Sequence, residues 1–132
     1  MNKETQNDSK TVLVAEDEKD VREALTAALT RAGFGVIPTV DGEETLLVAL
    51  QEKPDLILLD LIMPKKDGLD VLKELRADEW GKDVKVIILT AVSDIEKVAK
   101  AVEVGGEGLQ YLVKTDWKLE DVVERVKKEL GE

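Results

Sequence analysis

The sequence predicts an α/β domain, a doubly wound parallel sheet of five strands that alternate with five helices. Three observations carry this expectation. Short runs rich in Val, Leu and Ile, such as Leu56–Leu59 and Val84–Leu89, suit strands buried on both faces. Between them lie segments whose apolar residues recur at helical spacing. The alternation of strand and helix repeats along the whole chain, and right-handed crossovers then cover a parallel sheet from both sides.

Each element has its own justification. Met1–Lys10 is polar and aperiodic and is expected to be a mobile tail, leaving 11–132 as the domain. Thr11–Ala15 reads as the first strand and ends in Glu16-Asp17-Glu18. Lys19–Ala32 carries Val21, Ala24, Leu25, Ala28 and Leu29 on one helical face, and Gly33 suits the position that ends it. Gly35–Val40 is a short second strand. Asp41-Gly-Glu-Glu44 resembles a capping box at the head of a helix that runs to about Glu52, with Leu46, Leu47 and Leu50 expected inward.

Leu56–Leu59 is the third strand and stops at Asp60; Pro64 ends any regular element shortly after. Asp67 can cap a helix carrying Leu69, Leu72 and Leu75, and Asp78–Asp83 is a loop. Val84–Leu89 is the fourth strand, ending at Thr90. Ser93-Asp-Ile-Glu96 has capping-box form before a helix with Ile95, Val98, Ala99 and Val102 on one face, stopped by Gly105-Gly106. Leu109–Val113 is the fifth strand, ending at Lys114. With Lys118 as N-cap, Trp117 and Val122 fit a hydrophobic staple on the last helix, whose core face is Val122, Val123, Val126 and Leu130.

Composition narrows the function. A chain of 132 residues suits one domain with one core, and 3% aromatics means an aliphatic core. The net charge of −10 argues against binding nucleic acid or an anionic membrane, both of which need basic surface. There is no Cys, so there is no thiolate nucleophile, and no His, the commonest general base and the usual zinc ligand. No apolar stretch approaches membrane-spanning length and no signal peptide is visible, so a cytoplasmic location is expected.

In a parallel sheet the carboxyl ends of all strands share one edge, where open α/β sheets place their chemistry. That edge would collect Glu16, Asp17, Asp60, Thr90 and Lys114, each following an apolar run. If the strand order is 2-1-3-4-5, strands one and three are neighbours and Asp17 lies close to Asp60. Two bare carboxylates at about 4 Å repel by roughly 4 kcal/mol at an effective dielectric near 20. Protonation, pairing with Lys114 or a bound cation would each relieve this. An all-oxygen donor set favours a hard ion such as Mg²⁺. A carboxylate beside such charges stays ionised and can attack an electrophilic phosphorus.

These residues resemble the receiver domain of bacterial two-component response regulators. The likeness runs from Thr11 to about Leu130. It rests on the pair Glu16-Asp17, on Asp60 followed by Met63-Pro64 and Asp67-Gly68, on Thr90-Ala91, and on Tyr111 with Lys114. The resemblance implies a flavodoxin-like (βα)5 fold with sheet order 2-1-3-4-5. It implies Asp60 as the phosphorylated residue. Asp17, Asp60 and the Ile62 backbone carbonyl would hold Mg²⁺, with Glu16 acting through water. Lys114 would contact phosphoryl oxygens and Thr90 would donate its hydroxyl to one. Thr90 and Tyr111 would form the switch that alters the surface of helix four, strand five and helix five. The implied partners are a sensor histidine kinase or phosphotransfer protein, since the chain has no His of its own, and a downstream protein. The domain would be a monomer or a phosphorylation-dependent dimer, catalysing only its own phosphorylation and dephosphorylation.

The chain departs from the family pattern at two places. Thr115 stands where most relatives have a Pro joined to the Lys by a cis bond. A cis bond to a non-proline residue costs about 3–4 kcal/mol, so a trans bond is expected. Ile62 and Val92, two residues after Asp60 and Thr90, are apolar where relatives are often polar along the path of the hydrolytic water, which predicts slow loss of phosphate. Lys65-Lys66 is more readily a solvated loop than a docking site, and Trp80 carries no functional signal. The alternative function is a pseudo-receiver, a binding module that works without phosphorylation. A phosphatase resembling haloacid dehalogenases needs a second Asp at position 62, which is Ile. A flavin-mononucleotide site needs a Ser, Thr and Gly cradle where Glu16-Asp17-Glu18 would repel phosphate.

Overall fold

The computed structural model describes residues 9–90, 95–106, 109–113 and 118–131. The expectations for Met1–Asp8, Val92, Ser93, Lys114, Thr115 and Trp117 lie outside these residues, as does the side chain of Thr90. Five strands, β1 (Thr11–Ala15), β2 (Gly35–Thr39), β3 (Leu56–Asp60), β4 (Lys85–Thr90) and β5 (Gln110–Val113), alternate with five helices. The helices are α1 (Lys19–Arg31), α2 (Gly42–Glu52), α3 (Gly68–Arg76), α4 (Ile95–Gly105) and α5 (Leu119–Glu129). All strand pairs are parallel, in the order β2-β1-β3-β4-β5.

Every residue of β3 is buried, which explains its unbroken apolar run: the central strand has no solvent side. Alternate strand residues feed two cores. Leu13, Ile57, Leu59, Val86 and Ile88 pack under α2, α3 and α4 with Leu72, Leu75 and Val98. Val12, Val14, Leu56, Leu58, Ile87 and Leu89 pack under α1 and α5 with Leu25, Leu29, Val122 and Val126. Pro38 lies in β2, an edge strand, where a missing N–H is tolerated.

The caps follow the sequence reading. Asp41 accepts from the Glu44 N–H at 2.8 Å, and the Glu44 side chain accepts from the Val40 N–H at 2.8 Å. Asp67 accepts from the Asp70 N–H at 3.0 Å. Lys118 is the N-cap residue of α5, and its N–H donates to Asp121 at 2.8 Å.

Two helix faces are corrected. Leu47 was expected inward but is 58% exposed; the inward positions are Thr45 and Ala49, with Leu46, Val48 and Leu50 partly covered. Three adjacent apolar residues, Leu46-Leu47-Val48, span more of the helix than its buried stripe, so one must face out. Among the described side chains of α4, Val98 and Ala101 are buried, as is Gly105, whereas Ala99 and Val102 face solvent; the side chain of Ile95 lies outside the described residues. The set 95, 98, 99 and 102 and the set 98, 101 and 105 are both helical stripes, and apolarity alone does not choose between them. Strand limits shift by a residue: β2 ends at Thr39, β4 starts at Lys85 and β5 at Gln110.

Candidate functional site

The carboxyl edge of the sheet is built by register. Ala15 pairs with Leu59, so Glu16 and Asp60, each the next residue, leave neighbouring strands side by side. Asp60 pairs with Leu89, which places Thr90 one step further along the adjacent strand. Asp60 is 4% exposed and Glu16 fully buried, while Asp17 is exposed. A carboxylate oxygen from each of Glu16, Asp17 and Asp60 lies within 4.8 Å of the others.

Hydrogen bonds orient these groups. The Ile62 N–H donates to Asp60 Oδ1 at 3.0 Å, and the Glu18 N–H donates to Glu16 Oε2 at 3.1 Å. The Glu16 N–H donates to the Thr39 carbonyl at 3.2 Å, which ties the acidic loop to β2. From α1, Arg22 Nη1 donates to the carbonyls of Glu16 at 3.0 Å and Asp17 at 3.1 Å.

The loop from Leu61 to Asp67 is held from two sides. Gly68 donates its N–H to the Leu61 carbonyl at 2.8 Å, and a Cβ there would stand 2.4 Å from the Asp60 carbonyl oxygen, so only glycine lets α3 start this close to the end of β3. Gly42 at the start of α2 donates to the Pro64 carbonyl at 3.2 Å, and its own Cβ would collide with the Lys66 carbonyl oxygen at 1.6 Å. Lys65 reaches Asp41 at 3.7 Å and Lys97 reaches Asp67 at 3.6 Å. Lys66 pairs with Glu74, and the hydrogen bond to that carboxylate raises the ammonium above its ordinary value.

The donor set fits a small hard cation. Octahedral Mg²⁺ with bonds of about 2.1 Å spreads its oxygens over roughly 3 to 4.2 Å, inside the 4.8 Å limit on these three carboxylates, and waters would complete its shell.

Glu16, Asp17 and Asp60 therefore converge as the sequence suggests, and Ile62 follows them at 46% exposure. Tyr111 stands apart in the edge strand β5, paired with Ile88 and 47% exposed. Lys114 and the Thr90 hydroxyl lie outside the described residues. Sequence reasoning passed over Arg22 and Gly42. The first looks like an ordinary surface charge on an amphipathic helix, and the second like the filler of a capping box. Only the fold brings them to the loops.

Residues 12–127 match the family of the response regulator receiver domain. The chain belongs to that family. It is 42% identical over 103 residues to ycf27, a probable transcriptional regulator of Porphyridium aerugineum, covering 78% of this chain and 41% of that protein. The chain thus spans less than half the length of this curated relative. A putative response regulator from Chloroflexus aurantiacus superposes with a TM-score of 0.83 at 31% identity, over 94% of this chain and 99% of that one. The receiver domain of the sensor histidine kinase PA1611 of Pseudomonas aeruginosa, described with a magnesium ion coordinated in its active-site cleft, gives 0.83 at 27% identity, over 94% and 99%. The protein is a flavodoxin-like receiver module of two-component signalling, a family whose members pair with histidine kinases. The relatives named as transcriptional regulators are longer, so the expectation of no direct nucleic-acid contact concerns these residues alone. No helix among the described residues is long and apolar enough to cross a membrane.

Proposed function

We propose that this receiver accepts a phosphoryl group on Asp60 from a phosphohistidine of a partner kinase or phosphotransfer protein, with Mg²⁺ held by Asp17, Asp60 and the Ile62 carbonyl, and by Glu16 through water. The observation that carries this reading is the buried Asp60 carboxylate at the end of the central strand, within 4.8 Å of two further carboxylates. An Asp60 oxygen attacks phosphorus, the P–N bond to imidazole breaks, and the departing nitrogen keeps the electron pair. The Ile62 amide fixes the rotation of the Asp60 carboxylate through Oδ1. Bound Mg²⁺ supplies the charge that offsets repulsion between acceptor, neighbours and phosphoryl oxygens. Lys114 and the Thr90 hydroxyl meet the transferred oxygens in this reading, and catalysis is mostly positioning.

The new charge on Asp60 draws Thr90 inward, and Tyr111 follows from its half-exposed position, changing the face of α4, β5 and α5 that a downstream partner reads. The transcriptional regulators among the relatives support an output on gene expression, exerted by a partner or segment outside these residues. Ile62, two residues past Asp60 and 46% exposed, is apolar, which supports a long phosphoryl lifetime in this reading.

The test is intact mass after incubation with acetyl phosphate. One added phosphoryl group that requires both Mg²⁺ and Asp60, and is lost in Asp60→Asn, is the expected result. No gain with acetyl phosphate or with purified kinase, and no effect of Mg²⁺ on melting, would leave a binding module only.

A further inference from the structure

We propose that Arg22 is a positioning residue for the cation site, acting on the backbone of the acidic loop and not on the ion or the phosphoryl group. The inference rests on the Mg²⁺-dependent reading above. Two carboxylates of the cluster, those of Glu16 and Asp17, belong to consecutive residues just past β1. Consecutive residues leaving a strand ordinarily project to opposite sides. For both carboxylates to reach one point beside Asp60, the backbone must turn between them and be kept turned. Arg22 supplies that restraint. Its Nη1 spans the two successive carbonyls at 3.0 and 3.1 Å, from one turn inside α1. The Glu18 N–H bond to Glu16 orients that carboxylate, while Arg22 holds the backbone carbonyls of the turn. Arg22 is partly covered; its bond to the Glu16 carbonyl is part-buried and its bond to the Asp17 carbonyl is exposed.

The charge of Arg22 gives the proposal a sign. A guanidinium near a cation site repels Mg²⁺. If Arg22 contributed only its charge, removing it would tighten Mg²⁺ binding. If it positions the loop, removing it weakens binding, because ligand carboxylates must then be ordered by the ion itself. Changes to groups that orient metal ligands typically cost about 10–100-fold in affinity.

The experiment is calorimetric titration of Mg²⁺ into wild type, Arg22→Met, Arg22→Lys and Asp17→Asn, with apo melting temperatures alongside. Met keeps the apolar stem. Lys keeps the charge but is one bond shorter and lacks the planar fork. The expected result is Mg²⁺ binding about tenfold weaker in Arg22→Met and an intermediate loss in Arg22→Lys. The rate of phosphorylation by acetyl phosphate should recover toward wild type at saturating Mg²⁺. Unchanged or tighter binding in Arg22→Met overturns the proposal while the metal reading stands. If Arg22→Met does not fold, wild-type affinity in Arg22→Lys overturns it. Absence of Mg²⁺ binding in wild type overturns the metal reading and the proposal together. Loss of binding in Asp17→Asn with retention in wild type shows that the titrated site is this one.

Discussion

The two ends of the sheet handle charged groups in opposite ways. At the amino end, Arg76, Asp78 and Asp55 each meet dipoles of the sign they need. Arg76, in the last turn of α3, donates to the carbonyls of Gly105 at 3.2 Å, Gly81 at 2.7 Å and Val84 at 2.9 Å. Asp78 accepts from the N–H groups of Trp80 and Gly81 at 2.9 Å each, and Asp55 from that of Thr11 at 2.8 Å. At the carboxyl end, three carboxylates face one another within 4.8 Å. The N–H groups of Ile62 and Glu18 orient the carboxylates of Asp60 and Glu16, and like charges at this spacing repel one another. Under the proposed function, the carboxyl end is the place where stability is traded for chemistry.

Asp60→Asn tests this contrast with the largest effect. Phosphoryl gain from acetyl phosphate should vanish, while the metal-free variant becomes more stable by about 1 kcal/mol as one of the opposing charges disappears. Urea unfolding in chelator measures the second part. A metal-free Asn variant less stable than wild type would mean that the cluster is structurally paired and that the contrast is mistaken.

Arg76→Ala is the matching change at the other end. It leaves three carbonyls without their donor, and a loss of about 2–3 kcal/mol is expected in denaturant unfolding. Burial pushes the guanidinium below its ordinary value, which offsets part of what the three bonds contribute. A lowered base would show in stability only at pH high enough to release the proton. A guanidinium stays protonated wherever the protein can be assayed, so the Arg76 contribution should be flat with pH. Mg²⁺ affinity should stay within about twofold of wild type, well short of the 10–100-fold expected for groups that orient a metal ligand. A larger change would show that the two ends are coupled.

How much of this was legible in the sequence follows from the same contrast. The alternating elements and the acidic cluster were readable because they rest on long-range regularities, unbroken apolar runs and the polar residues that follow them, whereas the strand order came with the resemblance to receiver domains. Leu47 and Val102 were misplaced because apolar residues exceeded the width of the buried stripe, and only tertiary packing decides which face out. Arg76 and Arg22 went unread for one reason. Their partners are backbone carbonyls, which every residue carries, so no pattern of side-chain types marks them.

A smaller effect is expected at Ile62 and Val92. Polar replacements at both should admit the hydrolytic water and shorten the phosphoryl half-life several-fold, with phosphorylation itself unaffected. A half-life equal to that of wild type would remove the role given to the apolar Ile62 side chain.

The smallest effect concerns Lys65, in the loop after the acceptor. Its backbone is left-handed, with φ of 71°, although it is not glycine. Such a conformation costs an L-residue about 1 kcal/mol, which Lys65→Gly would relieve. Glycine also gains freedom in the unfolded chain, an opposing term of about 0.5–1 kcal/mol. The Lys65–Asp41 pair at 3.7 Å would be lost, but the Lys65 side chain is 62% exposed, so solvent leaves that pair no more than about 0.5 kcal/mol. The three terms nearly cancel, and Lys65→Gly should match wild type within about 0.5 kcal/mol, whereas Lys65→Val, stiff at Cβ, should lose about 1–2 kcal/mol. This pair of variants separates the backbone of the loop from its side chains. A clear loss in Lys65→Gly would mean that the Lys65 side chain holds the acceptor loop, and the backbone grip of Gly42 and Gly68 would no longer be sufficient to account for its shape.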